Sequence, residues 1–193
     1  MGGEYVVNDS GLNMSTYCDF AVGHPVHGPY HDLEYGFPLR SDNELFERLV
    51  LEINQAGLSW ELVLKKREGF RRAYANFDVD AVAAFGENDR ARLLSDPGII
   101  RNRLKVNAAI ENARRLVELR SEHGSFADWL ESHHPRNKAE WVRLFKANFK
   151  FTGVEIVGEF LMSTGYLPGA HKESCAIFAK IIAMSPPWLQ SAA

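Results

Sequence analysis

From Ser41 onward, apolar residues recur every three to four positions through most of the chain, and runs that alternate apolar with polar are nearly absent. The pattern predicts an all-α fold. Ser41-Asp42-Asn43-Glu44 reads as a capping box; behind it Leu45, Leu49, Glu52, Ile53 and Ala56 share one helix face, and Gly57 closes the helix. Ser59 caps a second helix through Trp60, Val63 and Leu64 towards Tyr74. Asp78 precedes a short helix ending near Phe85, Glu87 to Leu94 forms another, and Asp96-Pro97-Gly98 forces a turn. One long helix, Asn102 to about Glu122, sets Leu104, Ala108, Ala113, Leu116 and Leu119 on a stripe, with Gly124 as its stop. Short helices are expected from Ser125, from Asn137 and from Val154.

The polar, aperiodic residues 1–17 are expected to be a flexible extension, 18–185 the helical domain and 186–193 a tail. With 193 residues, 46% of them hydrophobic, the chain can bury one core. No stretch approaches the roughly 20 apolar residues of a membrane span, and the N-terminus lacks the order of a signal peptide, so a cytoplasmic location is expected. The net charge of -3 does not advertise nucleic-acid binding; local patches must supply it. In that compartment the two cysteines, Cys18 and Cys175, favour metal ligation or plain burial over a disulfide.

His171 and Cys175 stand four apart in a segment that can start a helix, which would put both on one face. Cys18 and His31 could complete a Cys2His2 tetrahedron, and a closed site of four protein ligands would be structural. Glu52 falls on the core-facing side of its helix, where an unpaired carboxylate is expensive, so it is either a functional group or half of a buried ion pair. The turn around Gly98 can offer backbone N–H groups to a phosphate, and Arg101, Arg103 and Lys105 follow it. Lys65, Lys66, Arg67, Arg71 and Arg72 form a second basic cluster; solvated faces are the alternative reading of both.

Five blocks carry a resemblance: Tyr30-His31-Asp32-Leu33-Glu34-Tyr35-Gly36-Phe37-Pro38, Leu51-Glu52-Ile53-Asn54-Gln55-Ala56-Gly57-Leu58-Ser59-Trp60 with Val63 to Glu68 after it, Asp96 to Arg103, Phe149 to Gly153, and His171-x-x-x-Cys175. In order and spacing they resemble the 3-methyladenine DNA glycosylase I family over roughly residues 17–178. The resemblance implies a helix-hairpin-helix glycosylase fold and a structural zinc held by Cys18, His31, His171 and Cys175. It further implies a monomer acting on duplex DNA, whose alkylated base is flipped into a pocket. Glu52 would contact the base, Tyr30 and Trp60 would line the pocket, and Leu58 would fill the gap that the base leaves. No hairpin lysine suggests an amine nucleophile, so strand cleavage is not expected.

Several departures from the family pattern surround this pocket. Phe20 replaces the Trp of an early Cys-x-Trp, His27 an upstream pocket Tyr, Tyr35 the Trp of Glu-Trp-Gly and Ile53 a Gly; Gly153-Val154-Glu155 stands for a Gly-Pro-Thr type of segment. Phe20 and His27 would border the base. Two readings therefore stand beside each other: a glycosylase for alkylated bases, most simply 3-methyladenine, and a zinc-stapled DNA-binding protein with altered substrate or lost excision.

Overall fold

Side-chain caps decide where most helices begin, because the first N–H groups of a helix have no partner inside it. In the computed structural model, which describes residues 16–190, Ser41 accepts from Glu44 N–H at the start of α3 (Asp42–Gln55) and Ser59 from Leu62 N–H at α4 (Trp60–Ala73). Asp78 caps α5 (Val79–Ala83), Asn102 caps α7 (Arg103–His123), Ser125 caps α8 (Phe126–His133) and Asn137 caps α9 (Lys138–Asn148). α6 (Glu87–Ser95), α10 (Val154–Ser163) and α11 (Ala176–Ala183) complete the expected set, and no strand occurs among the described residues. The all-α reading holds.

Helix α3 is the axis of the core. Every residue from Leu45 to Asn54 is buried, and α4, α5, α7, α8 and α10 pack around it. Next to it Phe126, Trp129, Phe145, Phe149 and Phe160 interlock with ring centroids 5.2–5.9 Å apart, in tilted, edge and stacked pairs. Each such ring contributes roughly 1.5–3 kcal/mol on burial.

Several expectations need correction. Two short helices not foreseen from periodicity, α1 (Tyr17–Ala21) and α2 (His27–Leu33), precede α3. Tyr17 opens α1, so the folded part starts earlier than expected; the remainder of the expected extension, residues 1–15, lies outside the described residues. Leu104 is exposed in the first turn of α7, on the side away from Lys105 and Val106, and the buried stripe starts with those two. His171 to Cys175 is a turn rather than helix, and Cys175 is the residue before α11. The expected tail is partly docked: Trp188 N–H donates to Gly165 O at 3.1 Å and its ring lies against Phe178, while 191–193 fall outside the described residues.

The turn at 96–102 rests directly on α4. Lys66 Nζ donates to Pro97 O at 2.7 Å, and Gly69 meets Gly98 backbone to backbone. A Cβ on Gly69 would stand 2.3 Å from the Gly98 carbonyl oxygen, a distance no flexible side chain can relieve. Gly69→Ala should therefore destabilise the fold by about 1–3 kcal/mol in thermal or urea unfolding. An unchanged melting temperature would show that the turn is free to shift.

Candidate functional site

Aromatic and acidic side chains from five elements enclose a cavity of about 230 Å³, lined by Tyr17 of α1, Tyr30 of α2, Tyr35, Glu52 and Gln55 of α3, Trp60 of α4, and Glu155 and Glu159 of α10. It is smaller than the roughly 300–1,000 Å³ of sites that take drug-sized molecules, and fits a single flat heterocycle. Tyr30 packs edge-on against Trp60 at 5.1 Å and tilted against Tyr35 at 5.7 Å. Buried Arg48 fixes Tyr30: one guanidinium nitrogen donates to its hydroxyl at 2.9 Å and to Ser163 O at 3.3 Å, the other to Glu34 at 3.2 Å. A larger cleft of about 530 Å³ lies around Pro38, Glu131 and Tyr166, but its charged residues Arg40 and Glu131 pair with each other at 2.7 Å.

Glu52 is 3% exposed, and no hydrogen bond or ion pair among the described residues involves its carboxylate. The buried ion pair that the sequence left open is not formed. Burial pushes its carboxyl up to about 8; the neighbouring Glu159 adds to the shift and Arg48 opposes it. Glu159 is also raised, chiefly by burial, although the Tyr35 hydroxyl donates to it at 3.1 Å. A carboxyl so placed is costly to ionise until a positive charge arrives beside it.

Cys18, His31, His171 and Cys175 converge, their ligand atoms all within 4.8 Å of one another, in an arrangement that could hold a metal ion. Cys18 Sγ and Cys175 Sγ each lie 3.6 Å from His171 Nδ1, and Cys175 Sγ lies 3.7 Å from His31 Nε2. Each imidazole is oriented through its other nitrogen, His31 by Asp32 at 2.6 Å and His171 by Tyr35 O at 2.7 Å. The cluster joins α1 and α2 to the segment before α11, reinforced by a Lys172–Asp19 ion pair.

The residues proposed to meet DNA are placed unequally. Leu58 is exposed at the α3–α4 turn, where Gly57 has φ +78°. Arg101 and Arg103 are exposed and unpaired among the described residues, and the N–H groups of Ile100 and Arg101 take no partner there. The Gly98 N–H, by contrast, donates to Asp96 Oδ1 at 2.7 Å. Lys105 is buried, and its ammonium donates to Asn54 O at 2.9 Å and Ala56 O at 2.6 Å, tying the end of α3 to the start of α7. That engagement removes it from the exposed cations. The second basic cluster is largely neutralised: Arg67 pairs with Glu34 and Glu47, Arg71 with Glu47 and Glu68, and Lys65 with Glu61. His27 and Phe20 are not among the residues that line the cavity, and reach it through Tyr17. Tyr17 hydrogen-bonds His27 Nδ1 at 3.1 Å, and Phe20, 53% exposed, packs edge-on against the same ring.

Three wall residues escaped sequence reasoning, Tyr17, Gln55 and Glu159, while Glu155 entered it only within a departure from the family pattern. The i, i+4 spacing of Glu155 and Glu159 on an otherwise apolar helix was the available signal for Glu159.

A family model described as methyladenine glycosylase matches residues 21–147. The chain is 36% identical to DNA-3-methyladenine glycosylase 1 of Escherichia coli (strain K12), a match covering 83% of this chain and 96% of that protein. It is 32% identical to DNA-3-methyladenine glycosylase of Haemophilus influenzae, over 84% of this chain and 97% of the relative. A crystal structure of a 3-methyladenine DNA glycosylase I variant in complex with 3-methyladenine superposes with a TM-score of 0.76 at 30% identity, covering 83% of this chain and 96% of the other.

Glu52 generates a signed pH dependence. Its folded-state value of about 8 lies above the ordinary 4.5, so between those values the unfolded chain ionises first and stability is lost as pH rises. Stability of wild type relative to Glu52→Gln should fall between about pH 5 and 8, by up to about 1.4 kcal/mol per pH unit, and level off above. Paired melting curves across that range check this, and a flat difference would mean that the carboxylate is compensated.

Proposed function

Because this chain belongs to the methyladenine glycosylase family, we propose that its cavity receives an alkylated base, 3-methyladenine foremost, swung out of duplex DNA, and that the enzyme hydrolyses the bond between that base and its sugar. Glu52 carries this reading, as a buried carboxylate without a partner in an aromatic-walled cavity. Methylated at N3 while still attached to the sugar, adenine is a cation with a weakened glycosidic bond. Water adds to the sugar carbon as that bond breaks; the bonding electrons pass to the base, which leaves neutral, and one proton goes to solvent.

The residues supply recognition more than acid catalysis. Tyr30 and Trp60 offer ring faces to the cation, while Glu52 pairs with its charge and accepts from its exocyclic amine. Leu58 occupies the space the base vacates, and Arg101 and Arg103 with the free N–H groups before α7 hold phosphate. In this reading α6, the 96–102 turn and α7 form the helix-hairpin-helix unit. Among the described residues no lysine lines the cavity, and the reading expects base release without strand cleavage. The reading expects a monomer working in the cytoplasm.

The Cys/His cluster suits zinc. With Zn–S near 2.3 Å and Zn–N near 2.0–2.1 Å, a tetrahedron has S···N edges of about 3.6 Å, which the 3.6 and 3.7 Å separations match. Cys18, His31, His171 and Cys175 would hold it, and four protein ligands make it a structural clamp on the chain ends. 

Base release is the direct test. Incubation with methylated DNA followed by chromatography should show 3-methyladenine, and Glu52→Gln should cut its rate about a hundredfold, or about 2.7 kcal/mol of transition-state stabilisation. Intact folding with no base released by wild type would favour the DNA-binding protein without excision. For the metal, wild type should contain about one zinc per chain, and Cys175→Ala should lose it and melt earlier. Unchanged stability after thorough chelation would remove the structural zinc.

A further inference from the structure

We propose that Glu159 is a specificity-determining residue of this cavity: with Glu52 it forms a pair of carboxyls, neither in an ion pair among the described residues, that binds a purine tightly only when the purine is positively charged. The ligand class rests on the base-excision reading, whereas the residue's role rests on its own surroundings. Glu159 reaches the cavity from α10 and Glu52 from α3, so the two acids come from helices that pack against each other. The Tyr35 hydroxyl anchors Glu159 at 3.1 Å, while Glu52, 3% exposed, has no partner among the described residues.

Nearby cations are already engaged. Arg48 is held by Tyr30, Ser163 O and Glu34, and Lys138 of α9 lies 3.6 Å from Glu155, so that its charge offsets burial at Glu159 only in part while Glu155 adds repulsion. Tyr30, Tyr35 and Tyr17 add hydroxyls but no positive charge. Burial and mutual repulsion therefore make full ionisation of the two carboxyls costly, and both are held above the ordinary range. A cationic purine supplies the missing countercharge, lets both ionise and displaces the proton that the pair retains. A neutral purine of the same outline supplies none. Glu159 thus acts on the choice between charged and uncharged bases, and does so through the charge it adds to Glu52.

The test uses two probes of nearly equal shape, the permanent cation 3,9-dimethyladeninium and neutral 9-methyladenine. Calorimetric titration near pH 7, in two buffers that differ in ionisation heat, gives affinity and proton release together. Wild type should favour the cation at least about tenfold and release protons on binding it. Glu159→Gln should lose about tenfold of that preference and most of the proton release, while Glu159→Asp, which restores the charge, keeps both. Unchanged preference in Glu159→Gln overturns the proposal, as does wild type that binds both probes equally, binds neither, or releases no proton. These wild-type outcomes need no variant to fold. Methylated-DNA assays on the same preparation separate the two readings: cation preference with no base release removes base excision and leaves the role of Glu159, and base release without cation preference does the reverse.

Discussion

The convergence of Cys18 and His31 with His171 and Cys175 is the constraint on which the cavity depends. α1 and α2 have five and seven residues, well below the roughly 12–15 at which an isolated helix is even marginal in water. Between them and the loop that follows, they supply Tyr17, Tyr30 and Tyr35, three of the aromatic walls. Their positions must therefore come from tertiary ties. The Cys/His cluster is one, and it holds Tyr35 through the hydrogen bond from His171 to its carbonyl. Arg48 is another, linking Tyr30 on α2 to the end of α10 through Ser163.

Charge is distributed around the cavity so that cations support its walls without entering it. Arg48 and Arg67 are buried or nearly so, and both are held by Glu34. Arg48 also lies over the Tyr30 ring, 4.8 Å from its centre, and so braces one of its faces. Of the acids that line the cavity, Glu155 lies 3.6 Å from Lys138, whereas Glu52 and Glu159 form no ion pair among the described residues, which leaves two carboxyls for a positively charged base to meet. A neutral group of the same shape in place of Glu52 would remove the cost of a buried carboxyl at neutral pH and give a poorer receptor, the usual conflict between stability and a preorganised site.

The surface next to the cavity is organised by backbone carbonyls as much as by exposed charge. Lys105 closes the end of α3 by binding Asn54 O and Ala56 O, and Lys66 binds Pro97 O. These two ammonium groups join the Leu58 turn, the start of α7 and the 96–102 turn along one edge. Arg101 and Arg103, on the same edge, are left free to meet an anion.

Local chemistry was legible in the sequence wherever one residue acts on its near neighbours. Ser41, Ser59, Asp78, Asn102, Ser125 and Asn137 mark helix starts because a cap needs only the next three N–H groups. The burial of Glu52 followed from its helix face, and the four metal-type residues from their identity and order. Family resemblance added Tyr30 and Trp60. What only the tertiary structure decided was where long side chains end. Lys105 looked like a phosphate ligand beside Arg101 and instead caps a helix 49 residues away in sequence. Arg67 and Arg71 read as a basic patch until Glu34 and Glu47 were brought against them. Glu159 acquired meaning only when α10 packed on α3 and placed it in the cavity that Glu52 lines. A chain of 3.6-residue periodicity specifies which face turns inward, but the partner across that interface is set by packing between distant segments, and the electrostatics of a buried site follow the partner.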